Sequence, residues 1–292
     1  MSIAKIMDKI FLNDRLVDTD NAAISASDGG FLYGAGLFET MRCCNGVVFA
    51  LEDHLNRLFA SAEALSINNT CEKKIIAEAI YEVLRANELT DARLRLTLTG
   101  GPVSISDDKP KSTLLITATK FQPYPQEYYQ KGALAVLCSY RQNPGDPTCG
   151  HKTTSYFPRI IGLEAARAKK AAEALWFTVD NRLAEGCISN VFLVKDSTLY
   201  TPPLSTPVLP GVMRKTVCKI AAENSIKLVE DNIRIDDLLG ADEIFLTNVI
   251  MQVLPIIKVE KHDVGRGKVG PMTKKLIAYV DEFIKTFCGQ GK

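Results

Sequence analysis

In "ARLRLTLTG", residues 92–100, apolar and polar positions alternate strictly, the period of a strand with one buried face. "STLLITATK", 112–120, predicts a second strand with looser alternation. "KIFLNDRLV" predicts a hairpin turning at Asn13-Asp14, and "LFETMRCCNGVVFAL" predicts two strands joined at Asn45-Gly46, a strong tight-turn signal. The period then lengthens. Leu55, Leu58, Phe59, Ala62 and Leu65 fall on one helical face, and Ile75, Ile76, Ala79, Ile80, Val83 and Leu84 repeat the pattern within 71–87. "FQPYPQEYYQKG", 121–132, breaks both periods with prolines and a glycine and predicts a linker. Beyond it, strands are expected near 133–139, 174–179, 191–195 and 242–247, and helices near 158–173, 212–224 and 271–286. Strands and helices mixed without regular alternation indicate an α+β fold. The domains expected are 1–120, a linker at 121–131, and 132–292.

Composition narrows the function classes. Of 292 residues, 46% are hydrophobic and 24% charged, and the formal net charge is +1, so no basic footprint for nucleic acid or a membrane surface is present. No apolar run approaches the roughly 20 residues that cross a bilayer. "MSIAKIMDKIFLND" carries charges where a signal-peptide core is apolar. A cytoplasmic protein is expected. The 8 cysteines form no CxxC pair, which indicates neither a zinc site nor a disulfide framework, and no metal is expected. Vicinal Cys43 and Cys44 point to opposite faces if they lie on a strand. Neither GxGxxG nor GxxxxGK[ST] occurs, so the common nucleotide loops are absent.

Five stretches carry candidate chemistry, and each has a plainer reading beside it. Lys152 lies in "HKTTSY" among hydroxyls, with neither helical periodicity nor excess charge. Most lysines are surface stems, but a nucleophilic amine needs partial desolvation and groups that shuttle protons, which these neighbours allow. "NRLAEGCISNVFLV" places Glu185 before a glycine and Ser189-Asn190 before an apolar strand; it fits a hairpin with a surface carboxylate, or a carboxylate facing a heteroaromatic nitrogen. "TPPLSTPVLPGVMRKTV" ends a Pro-rich loop at Gly211 and starts a helix, which fits an ordinary turn or an anion site at a helix N-terminus. Arg57, off the apolar stripe of its helix, is a surface arginine or a phosphate clamp. In "FLTNVIMQVLPI" a strand ends at Thr247-Asn248, where polar groups suit a plain turn, a phosphate or a carboxylate.

The order of these stretches is more specific than any one of them. "GGFLYGAGLFETMR", "HLNRL", "KTTSY", "EGCISNVFLV", "LPGVMR" and "FLTNVIMQVLPI" together resemble the fold-type IV pyridoxal-phosphate enzymes, the class IV aminotransferases, from about Asn13 to Pro255. That family includes branched-chain aminotransferases, D-amino-acid aminotransferases and aminodeoxychorismate lyases. The resemblance implies a two-domain α+β fold, with a smaller N-terminal α/β sandwich and a larger C-terminal domain built on a barrel-like sheet. It implies pyridoxal 5'-phosphate as cofactor, bonded to Lys152, which also carries the catalytic proton. Glu185 would face the pyridine nitrogen. Arg57 and the backbone of Gly211, Val212 and Met213 would hold the phosphate, with Thr247 and Asn248 near it, and Tyr156, Ser189 and Asn190 would line the pocket. Phe38 and Arg95 would meet the substrate. The implied activity is amino transfer between a branched or other small amino acid and a 2-oxo acid, in a homodimer; the alternative is aminodeoxychorismate lyase, which releases pyruvate and forms 4-aminobenzoate.

The chain departs from the family pattern at three places. Val249 stands where branched-chain and D-amino-acid enzymes usually place a phosphate-binding threonine, so Thr247, Asn248 or backbone groups must replace that hydroxyl. "GGPVSISDDKP" lacks the arginine and histidine of D-amino-acid enzymes, and Phe38 replaces their tyrosine; both count against D-amino-acid specificity.

Overall fold

The computed structural model describes residues 8–69, 71–103 and 111–289. The start of the N-terminal stretch weighed as a leader, and residues 104–110 of "GGPVSISDDKP", lie outside the described residues. The chain forms two compact units. One runs through Gln122 and includes Lys152–Tyr156 and the chain from Lys285 onward; the other comprises Pro123–His151 and Phe157–Ile284.

In the first unit, β1 (Lys9–Leu12), β2 (Arg15–Asp18), β3 (Gly36–Cys44), β4 (Val47–Val48), β5 (Ala92–Thr99) and β6 (Thr113–Lys120) form one sheet in the order β2-β1-β6-β5-β3-β4. Both expected hairpins are present, and Asn13, Asn45 and Gly46 take the positive φ that such turns require. One face of the sheet carries Leu37, Met41, Leu94, Leu96, Leu98, Leu114 and Ile116. It packs against the apolar stripes of α2 (Leu51–Ala64) and α3 (Lys73–Ala86), with Leu55, Leu58, Ile76, Ile80 and Val83 fully or nearly fully buried. Cys43 faces this core and Cys44 does not, as strand alternation requires. A short helix, α1 (Gly29–Tyr33), was not foreseen because glycines open it. It is held by Asp28, whose Oδ1 accepts Gly30 N–H while Oδ2 accepts the hydroxyls of Thr99 and Thr113.

The second unit begins with α4 (Gln126–Lys131), a helix inside the stretch that reads as linker. It continues through β7 (Ala133–Gln142), α5 (Phe157–Ala168), β8 (Glu173–Thr178), β9 (Leu183–Gly186), β10 (Asn190–Lys195), β11 (Thr198–Thr201), α6 (Val212–Glu223), β12 (Leu228–Glu230), α7 (Ile235–Leu239), β13 (Glu243–Asn248), β14 (Gln252–Val259), β15 (His262–Asp263) and α8 (Pro271–Gly289), whose residues from Lys285 on belong to the first unit. Its sheet follows the order β12-β11-β10-β13-β14-β7-β8-β9, with β15 pairing β14. Five steps along a flat sheet would separate β10 from β9 by about 24 Å. Only three residues join them, a reach of about 14 Å at full extension. The sheet therefore curls back on itself, the barrel-like form that the family resemblance implies. α5 stops at Ala168, short of the expected 173, because Lys170 turns left-handed (φ 58°) and Ala171 N–H closes onto Ala166 O. β14 lies where no strand is expected from the sequence, and it contains Pro255, which a central strand ordinarily excludes. It is tolerated because pairing with β7 begins only at Ile256.

Candidate active site

Backbone pairing sets the position of Lys152. Phe38 N–H donates to Lys152 O at 2.9 Å, Thr154 N–H donates to Gly36 O at 2.8 Å, and Leu37 lies opposite Thr153, so residues 152–154 add a short antiparallel segment beside β3. The close approach depends on glycines. A Cβ on Gly36 would meet Thr154 Oγ1 at 2.9 Å, and Gly34 sits at φ 68° beside Ser155. Thr154 Oγ1 also donates to Gly34 O at 2.8 Å. Three side chains then surround Phe38, which is buried on the sheet face turned away from α2. Lys152 Nζ is 4.6 Å from its ring centre, Arg95 Cζ is 4.0 Å, and the Tyr156 ring meets it edge-on at 5.2 Å. Desolvation, and then the neighbouring Arg93, hold Arg95 below the usual arginine range.

Arg57 belongs to the opposite face of the same strand, and it is not a surface arginine. Its Nε and Nη2 grip Glu39 at 2.8 and 2.5 Å, and His54 Nδ1 reaches the same carboxylate at 2.8 Å. Glu39 and His54 are each 1% exposed and Arg57 10%. Burial alone would raise the Glu39 pKa; the Arg57 charge and the His54 bond outweigh it and bring it down to about 2. Burial pushes His54 downward, despite Glu39, with Arg57 and Lys152 adding to the fall, so the ring is neutral and donates Nδ1–H. Its Nε2 is then a buried acceptor with no partner among the described residues. Glu39 and His54 were not singled out from the sequence, although a signal existed: Glu39 stands in the core-facing phase of an apolar strand, where a carboxylate must be paired.

The remaining predicted residues lie in the second unit. Glu185, on β9, is buried; Oε1 accepts Arg159 Nη2 at 2.5 Å and Oε2 accepts Leu209 N–H at 2.9 Å. Arg159 also donates to the carbonyls of Gly186 and Cys187, so the first turn of α5 anchors the end of β9. No sequence signal marked Arg159. Ser189 and Asn248 are engaged elsewhere. Ser189 Oγ donates to Glu173, a fully buried carboxyl whose pKa burial raises and which also receives the backbone N–H of Ala174, Cys187 and Ile188. Asn248 Oδ1 accepts Ile250 and Met251 N–H, and its Nδ2 donates to Ile188 O. Asn248 thus shapes the turn between β13 and β14.

Asn190, Gly211 and Thr247 converge. Asn190 on β10 pairs with Thr247 on β13, and its Nδ2 donates to Leu209 O at 2.9 Å, just before Gly211. A Cβ on Gly211 would overlap Asn190 Oδ1, so a side chain there would displace the Asn190 amide that donates to Leu209 O. Gly211 is the N-cap of α6 and offers no capping side chain, which leaves the Val212 and Met213 N–H groups without an intrahelical acceptor. α6 packs on β13, where Thr247 Oγ1 is buried with no hydrogen-bond partner among the described residues, while buried Val249 offers only methyl groups. An unmatched hydroxyl, uncapped amides and a close glycine approach suit a phosphate.

Phe38, Arg95, Lys152 and Tyr156 therefore form one cluster, and Asn190, Gly211, Val212, Met213 and Thr247 form another with Glu185 anchored beside Leu209. Among the described residues, no group of three or more metal-ligating side chains occurs, and no helix is long and apolar enough to cross a membrane.

The profile of the family described as amino-transferase class IV matches residues 36–259. A Methanocaldococcus jannaschii protein, provisionally named branched-chain-amino-acid aminotransferase, is 34% identical over 92% of this chain and 93% of its own length. The aminodeoxychorismate lyase of Bacillus subtilis is 32% identical over 88% of each chain. The crystal structure of Escherichia coli branched-chain amino acid aminotransferase superposes with a TM-score of 0.90 at 28% identity, covering 98% of this chain and 96% of that one.

Proposed function

The chain belongs to the amino-transferase class IV family, and on that premise we propose that it is a pyridoxal-phosphate-dependent aminotransferase exchanging an amino group between a small or branched amino acid and a 2-oxo acid. The observation that carries this reading is the placement of Lys152, fixed through its backbone to β3 and set beside Phe38 with Arg95 and Tyr156 around the same ring. When bound, pyridoxal phosphate supplies an aldehyde that captures amines and a ring that draws electrons from the substrate α-carbon. The chain does the rest. Lys152, once neutral, takes the proton from the substrate α-carbon and returns it. Arg95 pairs with a substrate carboxylate, and Tyr156 and Phe38 wall the cofactor and substrate. Glu185, fixed by Arg159 and Leu209 N–H, presents its charge to the ring nitrogen. The Val212 and Met213 N–H groups and Thr247 Oγ1 hold the phosphate, and Thr247 thus replaces the hydroxyl absent from Val249. Arg57 contributes only through donors that Glu39 does not take.

The reading extends to a cytoplasmic homodimer, supported by Phe31 and Tyr33 on α1, 76% and 71% exposed, which suit a second copy. Borohydride treatment of the protein with pyridoxal phosphate should leave the cofactor attached at Lys152, read by peptide mass. An amino-donor screen against pyruvate and 2-oxoglutarate should then show turnover, and absence of both signals would overturn the reading. The similarity to the B. subtilis lyase favours a second reading, aminodeoxychorismate lyase, which pyruvate release from that substrate would select.

A further inference from the structure

Cys44 ends β3 and points away from the core under α2 and α3, on the face that also carries Arg42, and it lies opposite Val47 on β4. The last turn of α8 belongs to the same unit and packs at this end of the hairpin. Phe287 meets Phe49 edge-on with ring centres 5.1 Å apart, and Phe49 is 1% exposed. Cys288, next along the helix and also 1% exposed, shares a side-chain hydrogen bond with Cys44. Both residues are free cysteines, and Cys44 is half-buried.

The two thiols differ in access and in acidity. Solvent reaches Cys44. Burial first, and then the charge and hydrogen bond of Cys44, push the Cys288 thiol up to about 12, with Arg42 opposing that rise. Cys288 therefore keeps its proton at neutral pH and directs it at the Cys44 sulfur. A reachable sulfur with a second thiol already in contact matches an attacking cysteine and its resolving partner. Cys43 cannot take either part: it faces the other side of the strand, and its Sγ donates to Thr90 O at 3.3 Å.

We propose that Cys44 and Cys288 form a reversible oxidation site, in which a peroxide oxidises Cys44 and Cys288 resolves it to a disulfide that fastens the end of α8 to β3. The steps balance. The Cys44 thiolate attacks one oxygen of hydrogen peroxide, the O–O bond breaks, and the departing hydroxide takes up the proton that Cys44 released. Cys44 is then a sulfenic acid, its sulfur oxidised by two electrons. The Cys288 sulfur attacks it, the S–S bond forms as the S–O bond breaks, and the second hydroxide leaves as water with the Cys288 proton. Two thiols and one peroxide give one disulfide and two waters, and a small thiol reverses the change. The bridge closes a loop holding most of the chain, the case in which a cross-link restricts the unfolded state most. None of this uses Lys152 or pyridoxal phosphate, so it stands apart from the aminotransferase reading.

The test exposes the full-length protein to hydrogen peroxide, blocks remaining thiols with iodoacetamide and digests without reductant. Peptide mass should show Cys44 linked to Cys288, and dithiothreitol should undo the link. The oxidised protein should melt about 5–10 °C above the reduced one. Cys44→Ser should lose both the linked peptide and the shift. Cys44 is half-buried, so this variant should melt close to the reduced parent, and it keeps the test open should Cys288→Ala fail to fold. In Cys288→Ala, Cys44 has no resolving thiol and should run on to sulfinic acid, a gain of two oxygens. Linkage confined to other cysteines, a parent protein in which Cys44 reaches sulfinic acid while Cys288 stays reduced, or a linked protein that melts with the reduced one would each overturn the proposal.

Discussion

Thr247→Val should change the stability of the cofactor-free protein and its cofactor affinity in opposite directions. Thr247 is 1% exposed at the end of β13, and its Oγ1 has no hydrogen-bond partner among the described residues. A buried hydroxyl without a partner costs roughly 1–3 kcal/mol. Valine keeps the branched shape and suits a strand equally well, so the substitution removes the polar penalty without opening a cavity. The apo protein should therefore gain about 1 kcal/mol. If Oγ1 donates to a phosphate, the lost bond is charge-assisted and worth roughly 1.5–3 kcal/mol, which weakens pyridoxal phosphate about tenfold to a hundredfold. Because saturating ligand adds RT ln(1 + [L]/Kd), each tenfold loss of affinity lowers holoprotein stability by about 1.4 kcal/mol. The variant should then melt higher than the parent without cofactor and lower with it. Trp176, the sole tryptophan, lies in the same unit and can report binding by fluorescence. Pyridoxal, which lacks the phosphate, should bind parent and variant alike. A destabilised apo variant, or an unchanged affinity for pyridoxal phosphate, would refute the assignment of Thr247 as the phosphate hydroxyl.

Lys152→Ala should abolish borohydride fixation of the cofactor and nearly all turnover while leaving the melting curve close to the parent's, since Lys152 is only half-buried and its backbone bonds to β3 remain. Glu39 should impose an acid limit on stability. Its folded pKa of about 2 lies below the ordinary 4.5, so its contribution is fully present above about pH 4.5 and is lost as the pH falls toward 2. That contribution is on the order of 3 kcal/mol. Urea unfolding of Glu39→Gln at pH 6 should show a loss of about 3 kcal/mol, from a buried Arg57 without its counter-charge, and a flatter profile in the acid range. Arg159→Met should destabilise by about 3 kcal/mol, because Glu185 keeps only Leu209 N–H as partner; adding Glu185→Gln should recover part of that, giving a coupling of about 1–3 kcal/mol in a double-mutant cycle.

What the sequence revealed, and what it hid, follows from how local each physical cause is. The hairpins, the amphipathic helices and the alternating strand β5 are written in short-range periods, and the structure follows them. β14 is not: its Pro255 is acceptable only because β7 is not yet paired at that point, and no local pattern reports that. α1 is helical through an aspartate cap tied to β5 and β6 rather than through its own glycines. The site divides in the same way. Lys152 stood out because its neighbours are small and polar, and Gly211 because a glycine before a helix is a local sign. Arg159 sits in an ordinary-looking helix start, and only the folded chain sets it against Glu185. Arg57 reads as a helix-surface cation until β3 brings a buried carboxylate to it. In each hidden case a charge is buried, and a buried charge is explained by a partner distant in sequence. The search for function in this chain therefore gains most from residues whose charge contradicts their place in the hydrophobic pattern. Glu39 among core leucines and Glu173 in a wholly buried strand are the two that the pattern alone could have exposed.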